Sequence, residues 1–541
     1  MSSLLLVVGA AVSLWLLRRI YRWSTHHSVS YIRGPAAKSR LLGNVRDFMY
    51  QENVGDLDFR YFEEYGTVWR MKAPLGSDVL MISDPKALQY IFHKSGYNFP
   101  KNTEARIGSF NVTGLSILWA PNGDVHSRHR KIMNPAFTAP QLRSFLPLFR
   151  RGSNKMCQMW KDEVLAQAPG GATIAVNKWL ARTTLDVIGE SAFDYPFGAL
   201  DDSENEVSKA YHNMFADSVL YPSRWSTIFR ALWKFLPDWL LRYVRFIPTR
   251  EYTRFRHTLN VINKVSKSLI DQKAADLLAG DKTSKDVMSV LVRANASEDP
   301  RARLSEEEMV SQMATLTLAG HETTASTLTW LLYELARHPE YQQKMRDELA
   351  AKRAELHARG EPDFSMDDLE GMPYLHAALK ETLRFHPIVY HLARQAGKDD
   401  VIPLAYPVMT DKGEMISEIP VAAGQVIMPN IAVYNRLPQV WGEDAHVWNP
   451  MRYIDGSPEA HIRIGMFGNL MSFSAGVRGC IGWRFSLIEM QAIAADLVEN
   501  FQFSIPKEKP DIMRVPAGIM GPMVKGKMFE GMQMPLHVVA L

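Results

Sequence analysis

Cysteine is nearly absent from this chain: its 541 residues hold two, Cys157 and Cys480. Two thiols cannot build a disulfide framework, so the catalytic part belongs in a reducing compartment and each cysteine needs its own explanation. Strong charge of one sign is missing too. A formal net charge of +4, with no basic–aromatic stripe and no zinc-ligand spacing, argues against nucleic acid as a partner. No Ser/Gly- or Pro-rich linker, internal repeat or low-complexity block divides the chain. Length alone suggests about three or four domains. The nearly continuous helical periodicity instead predicts one large, mainly α domain with small β-sheets.

Acidic residues are absent before Asp47, and the run Leu4 to Leu17 is almost wholly apolar. With its flanks, that run is just long enough to cross a thin bilayer. Arg18, Arg19 and Arg22 follow it. Positive charge after the apolar run is the wrong order for a cleaved signal peptide, and it holds the following chain on the cytosolic side. The expected organisation is a membrane anchor over 1–22, a basic, proline-containing hinge over 23–46 and a catalytic domain over 47–541. Asn111-Val-Thr and Asn295-Ala-Ser match the glycosylation acceptor pattern, but a cytosolic placement leaves both unmodified. Cys157 lies in a helical pattern and reads as packing.

Cys480 reads differently. It sits in Phe473-Ser-Ala-Gly476-Val-Arg478-Gly479-Cys480-Ile-Gly482. Gly476 and Gly482 allow a tight turn around the sulfur, and the apolar run from Trp483 predicts a helix whose first amides favour a thiolate. Such a thiolate suits a haem iron and pushes electron density towards O–O cleavage. Arg478 is placed to pair with a porphyrin propionate.

This ten-residue pattern is the haem-binding signature of the cytochromes P-450, and the chain resembles that family nearly from end to end. The resemblance implies a single helix-rich fold with an N-terminal transmembrane anchor and haem b (iron protoporphyrin IX) held by Cys480. NADPH and flavins would act through a partner flavoprotein reductase. Within a long helix expected from about Leu304 to His338 lies Ala319-Gly320-His321-Glu322-Thr323-Thr324. Ala319 and Gly320 leave room for a diatomic ligand, and Thr323 can bond back to a carbonyl one turn earlier. The segment resembles the family's oxygen-handling motif, which implies Thr323 as the oxygen-activating hydroxyl and Glu322 as its acidic neighbour. His321 occupies the variable position and is expected to point away from the iron.

Glu381 and Arg384 share one helical face, and match the family's E-x-x-R clamp, with Arg452 of Pro450-Met-Arg-Tyr453 as third member. Met451 stands where an acid is common. His126 and Arg130 resemble the W-x-x-x-R helix, with His126 in place of Trp, and Arg394 resembles the strand residue that binds a propionate. Arg128, His129 and Lys131 read as a solvated face that could also dock an acidic electron donor.

Phe110 to Leu118, Tyr211 to Tyr221, Ile388 to Leu392 and Ala517 to Met523 fall where the family's substrate contacts lie. Trp225 to Phe246 reads as an amphipathic surface able to dip into a bilayer. The function implied is a monooxygenase of the endoplasmic reticulum membrane. It would use O2 and reductase-delivered electrons to hydroxylate or epoxidise an apolar small molecule, and the fungal wording of the motifs points to a terpenoid or other secondary metabolite. Alternatives are an O2-independent isomerase or dehydratase, a haem sensor or electron carrier, and a secreted peroxygenase. Glu322-Thr323 opposes the first, and Ala319-Gly320 opposes an electron carrier.

Overall fold

The computed structural model describes residues 13–14, 29–202, 204–279, 285–296, 299–456 and 462–541. The expected anchor, Ser13 and Leu14 apart, lies outside them. No helix among the described residues is long and apolar enough to cross a membrane.

The principal helices, in chain order, are α1 (Asp56–Tyr65), α2 (Thr103–Thr113), α3 (Asp124–Met133), α4 (Ala139–Met159) and α5 (Val176–Phe193). They continue as α6 (Arg224–Leu232), α7 (Arg250–Leu278), α8 (Glu306–Arg337), α9 (Pro339–Arg359), α10 (Pro373–Phe385) and α11 (Trp483–Asn500). Helix α8 runs through the core. It starts where the Ser305 side chain accepts from the Glu308 amide while Glu308 reaches back to the Ser305 amide, which satisfies two amides that a helix start leaves open. Met313, Leu328, Leu331, Leu332 and Leu335 of α8 are fully buried, each contributing roughly 1.5–3 kcal/mol through burial.

Helices α5 and α8 approach closely. A Cβ on Gly320 would lie 2.7 Å from Ile188 Cδ1, and Thr184 Oγ1 donates to His321 O at 3.1 Å. Gly320 is therefore small because α5 packs on it. Ala319, one residue earlier, is exposed, while Gly320, Glu322 and Thr323 are half-buried and His321 is buried.

Among the described residues, four small sheets complete the fold. Strands β1 (Val68–Lys72), β2 (Asp78–Ile82), β3 (Arg394–Gln395) and β4 (Val426–Pro429) form one sheet in the order β1-β2-β4-β3. β1 and β2 pair antiparallel from Val68↔Ile82, and β4 runs parallel to β2. Ile512–Ala517 and Ile519–Val524 form a hairpin that turns at Gly518, φ +80°. The described part of the expected hinge is docked on the first sheet. Arg70 N donates to Arg33 O at 2.9 Å, and Gly34 sits so close to Arg70 that a Cβ would meet its carbonyl oxygen at 1.9 Å.

Candidate active site

The Cys480 turn consists of two short 3-10 turns, Met471–Phe473 and Gly476–Arg478, leading into α11. Phe473 is buried in the core beneath it, and Cys480 N donates to Phe473 O at 2.9 Å. Gly476 has φ +63°, and a Cβ there would meet Phe92 O at 1.7 Å, so only glycine fits. Gly482 departs from expectation: its φ is −93° and a Cβ would find its nearest neighbour at 3.6 Å. What position 482 contributes is its backbone N–H, which donates to the Cys480 sulfur. Burial pushes the Cys480 thiol up, and this amide and the Arg130 charge pull the other way without prevailing. Metal coordination deprotonates such a thiol outright. Cys480 lies deep in the protein, yet its side chain is not sealed.

Around this turn the structure gathers cations. Arg130 Nη1 donates to Gly479 O at 2.9 Å. Arg478 is fixed by Asn122 Oδ1 at 2.7 Å and Ala120 O at 2.6 Å. His126 is buried, with Nδ1 3.0 Å from Tyr97 OH. Arg394 is buried at the start of β3. Burial lowers all four, and neighbouring positive charges add to it at Arg394 and His126: Arg478 falls to about 10, Arg394 to about 9 and His126 to about 3.

Sequence reasoning missed a fifth member. Lys101 donates to Leu118 O at 2.6 Å and is pushed down to about 7 by burial, then by Arg394 and Arg478. A lone lysine before α2 carries no pattern that could have revealed it. No carboxylate among the described residues acts on Lys101, Arg394 or Arg478. Like charges buried together are costly without a counter-ion, so this cluster is built for a dianionic group lying over Cys480.

On α8, Thr323 Oγ1 donates back to Ala319 O at 2.8 Å, as its type predicts. Thr324 Oγ1 lies 3.0 Å from Ser486 Oγ, which joins α8 to α11 six residues beyond Cys480. His321 is buried, with Nδ1 2.6 Å from Thr317 O and its ring edge-on to Tyr211. Its Nε2 lies 3.4 Å from Glu322 Oε1. Both residues line a 350 Å³ cavity that also receives Lys178, Arg182, Lys209 and His212. Glu322 thus stands between the Thr323 turn and a cavity, lined in part by basic side chains, on another side of the helix.

A second missed residue is Glu489, fully buried on α11 near the Thr324 hydroxyl. Neither carboxyl oxygen has a hydrogen-bond partner of good geometry, and burial raises it well above the usual carboxylate range. The signal was an acid inside the apolar run Leu487-Ile-Glu-Met490.

The clamp forms as the spacing predicts, but buried. Arg384 Nε and Nη2 donate to Glu381 Oε2 and Oε1 at 2.8 and 2.7 Å, and Arg452 Nε donates to Oε1 at 3.2 Å. Arg384 also donates to the carbonyls of Asn435, Ala445 and Val447. The acid missing at Met451 is supplied by Asp444, whose Oδ1 accepts from Arg452 Nη1 at 2.8 Å.

Residues 34–528 match the family Cytochrome P450. Cytochrome P450 monooxygenase 205 of Postia placenta is 34% identical over 98% of this chain and 96% of its own. Ganoderic acid synthetase CYP5150L8 of Ganoderma lucidum is 34% identical over 94% of each chain. Cytochrome P450 monooxygenase claQ of Ampulloclitocybe clavipes is 30% identical over 97% of this chain and 96% of its own. The chain belongs to the cytochrome P450 family. It is an oxidoreductase of the monooxygenase class, which incorporates one oxygen atom. The family implies a haem, and the Cys480 thiol, the uncompensated cations and the open face beside Ala319 fit one.

Two other sequence readings change in this P450. Arg128 and His129 are not a solvated face: both pair with Glu308 at the start of α8, and His129 is buried. Lys131 is exposed. Of the expected substrate segments, Tyr390, His391 and Gly518 line a 1140 Å³ cavity, with Pro222 just past the Tyr211 to Tyr221 segment. Phe110 to Leu118 does not. Phe110 is buried against Trp119, and Ile117 N is tied to Gln312 Oε1.

Proposed function

We propose that this P450 hydroxylates or epoxidises an apolar small molecule, a terpenoid or other secondary metabolite, with electrons from an NADPH-dependent flavoprotein reductase. The observation that carries this reading is the 1140 Å³ cavity, walled by Phe48, Met71, Met81 and Met428. It shares the segment Tyr390–Arg394 with the cation cluster. A bound haem supplies the activation of O2 and the transfer of one oxygen atom. Cys480 holds its iron. Arg130, Arg394, Arg478 and Lys101 would balance its propionates, and His126 could donate an N–H to one of them. Thr323 holds a proton at its hydroxyl, and Glu322 connects that turn to the cavity behind α8. One relative's name, a ganoderic acid synthetase, belongs to secondary metabolism, which supports the substrate class.

Residues 1–22 anchor the enzyme in the endoplasmic reticulum membrane in this reading, with the catalytic domain in the cytosol. Trp225, Trp239, Tyr243 and Phe246 are 61–80% exposed while Trp233, Leu241 and Val244 are buried. This division suits a surface resting in a bilayer. Deleting residues 1–22 should weaken vesicle binding and leave a residue that Trp239→Ser with Phe246→Ser removes. Purified enzyme with reductase and NADPH, screened against terpene and polyketide libraries, should give products one oxygen atom heavier. Absence of such products with every class would overturn the proposed substrate class.

A further inference from the structure

The cavity wall contains one polar device with its own buried support. His391 lines the cavity, and its Nε2 lies 2.9 Å from Asp58 Oδ1. Asp58, on α1, is fully buried, and Asn430 Nδ2 donates to the same oxygen at 2.7 Å. Nothing among the described residues hydrogen-bonds to His391 Nδ1. Three other polar groups of the wall are committed to the protein: Asn102 caps α2, Arg230 is held by Glu251 at 2.6 Å and Asp78 by Lys72 at 2.6 Å.

A histidine whose Nε2–H donates to a carboxylate is held as one tautomer, and its Nδ1 presents a lone pair. We infer that His391, oriented by Asp58, accepts a hydrogen bond from a hydroxyl group on an otherwise apolar substrate. The inference rests on the monooxygenase reading above and names what that substrate must carry. His391 stands three residues before Arg394, in the segment shared by the cavity and the cation cluster. Anchoring a hydroxyl there fixes one end of the ligand and so selects which carbon faces the haem. A hydrocarbon lacking the hydroxyl leaves the device unpaired, which is how polar sites reject close analogues.

The test is equilibrium binding to the haem-loaded, full-length enzyme, read from the ligand-induced shift of its haem absorption band. The probes are geraniol, farnesol and a triterpene alcohol, each against its methyl ether, which keeps the bulk and loses the donor proton. For at least one pair the wild type should bind the alcohol roughly 10-fold more tightly than the ether. In His391→Phe that preference should vanish while the ether binds as before. Should His391→Phe fail to load haem, Asp58→Asn/His391→Phe keeps the Asn430 contact without a buried charge and should give the same loss. Equal binding within every pair, no binding of any alcohol, or a preference that survives in both variants would overturn the inference. A wild type whose reduced carbon monoxide complex lacks the thiolate–haem band would instead overturn the haem-thiolate reading beneath it.

Discussion

Arg384 and Glu381 face each other through two parallel hydrogen bonds of 2.8 and 2.7 Å, and neither side chain has any exposed surface. On an exposed helix, residues three apart would contribute well under about 1 kcal/mol. Here the pair is sealed beneath Arg452 and the loop 435–447, and removing Arg384 leaves the buried Glu381 carboxylate with Arg452 as its remaining cation, at 3.2 Å. Arg384→Ala should therefore cost about 3–5 kcal/mol and abolish haem retention. Thermal unfolding and the carbon monoxide band of the reduced protein check this. A stable, fully loaded variant would remove the clamp from fold maintenance.

Cys480→Ser should leave a folded protein without thiolate-ligated haem, because serine keeps the shape and lacks the soft anionic donor. The strongly red-shifted absorption of the reduced carbon monoxide complex should be present in the wild type only. Its retention in the variant would falsify the assignment of Cys480 as the iron ligand.

Thr323→Ala removes the hydroxyl that bonds back to Ala319 and should leave haem content and ligand affinity near wild type. Turnover should become uncoupled, with less product per NADPH and more peroxide, since proton delivery loses its ordered donor. An unchanged ratio of product to NADPH would take Thr323 out of oxygen activation.

Gly320→Ala should destabilise the protein by about 1–3 kcal/mol through overpacking, because its Cβ would lie 2.7 and 2.9 Å from Ile188 Cδ1 and Cγ1. Ile188→Ala removes both atoms, so the double variant should recover part of the loss. Chemical denaturation of the four proteins measures the coupling. Additive losses would mean that the glycine is not there for helix packing.

Lys101 gives a pH dependence. Its folded value of about 7 lies below the ordinary lysine value of 10.5. Between those limits the unfolded chain binds more protons than the folded one, so the haem-free protein should gain stability as pH rises through that window. Lys101→Met should flatten the slope and weaken haem retention. Denaturation at several pH values, with haem extracted, would show it. A slope that is absent in the wild type, or unchanged in the variant, would exclude Lys101 from the anion site.

The chemistry-bearing residues were legible because each sits in a short local pattern. The Cys480 turn, the Glu381–Arg384 spacing and the capped helix from Ser305 all depend on residues near one another in sequence, and local geometry follows from local composition. Three readings failed where the deciding neighbour is distant in sequence. Gly320 answers to Ile188 rather than to a ligand, and His129 is buried against Glu308. Ile117 is tied to Gln312 of α8, although its segment was expected along the cavity.

By itself, then, the sequence determined the mainly helical fold, the cysteine turn, the clamp and the positions of Thr323 and Glu322 on one helix. Only the tertiary structure decided that Lys101 joins Arg394 and Arg478, that Glu489 is buried beside α8, and that Asp58 orients His391. Those pairings join residues far apart in the chain. The free energy of a charge depends on what surrounds it in space, and no periodicity along the chain records that.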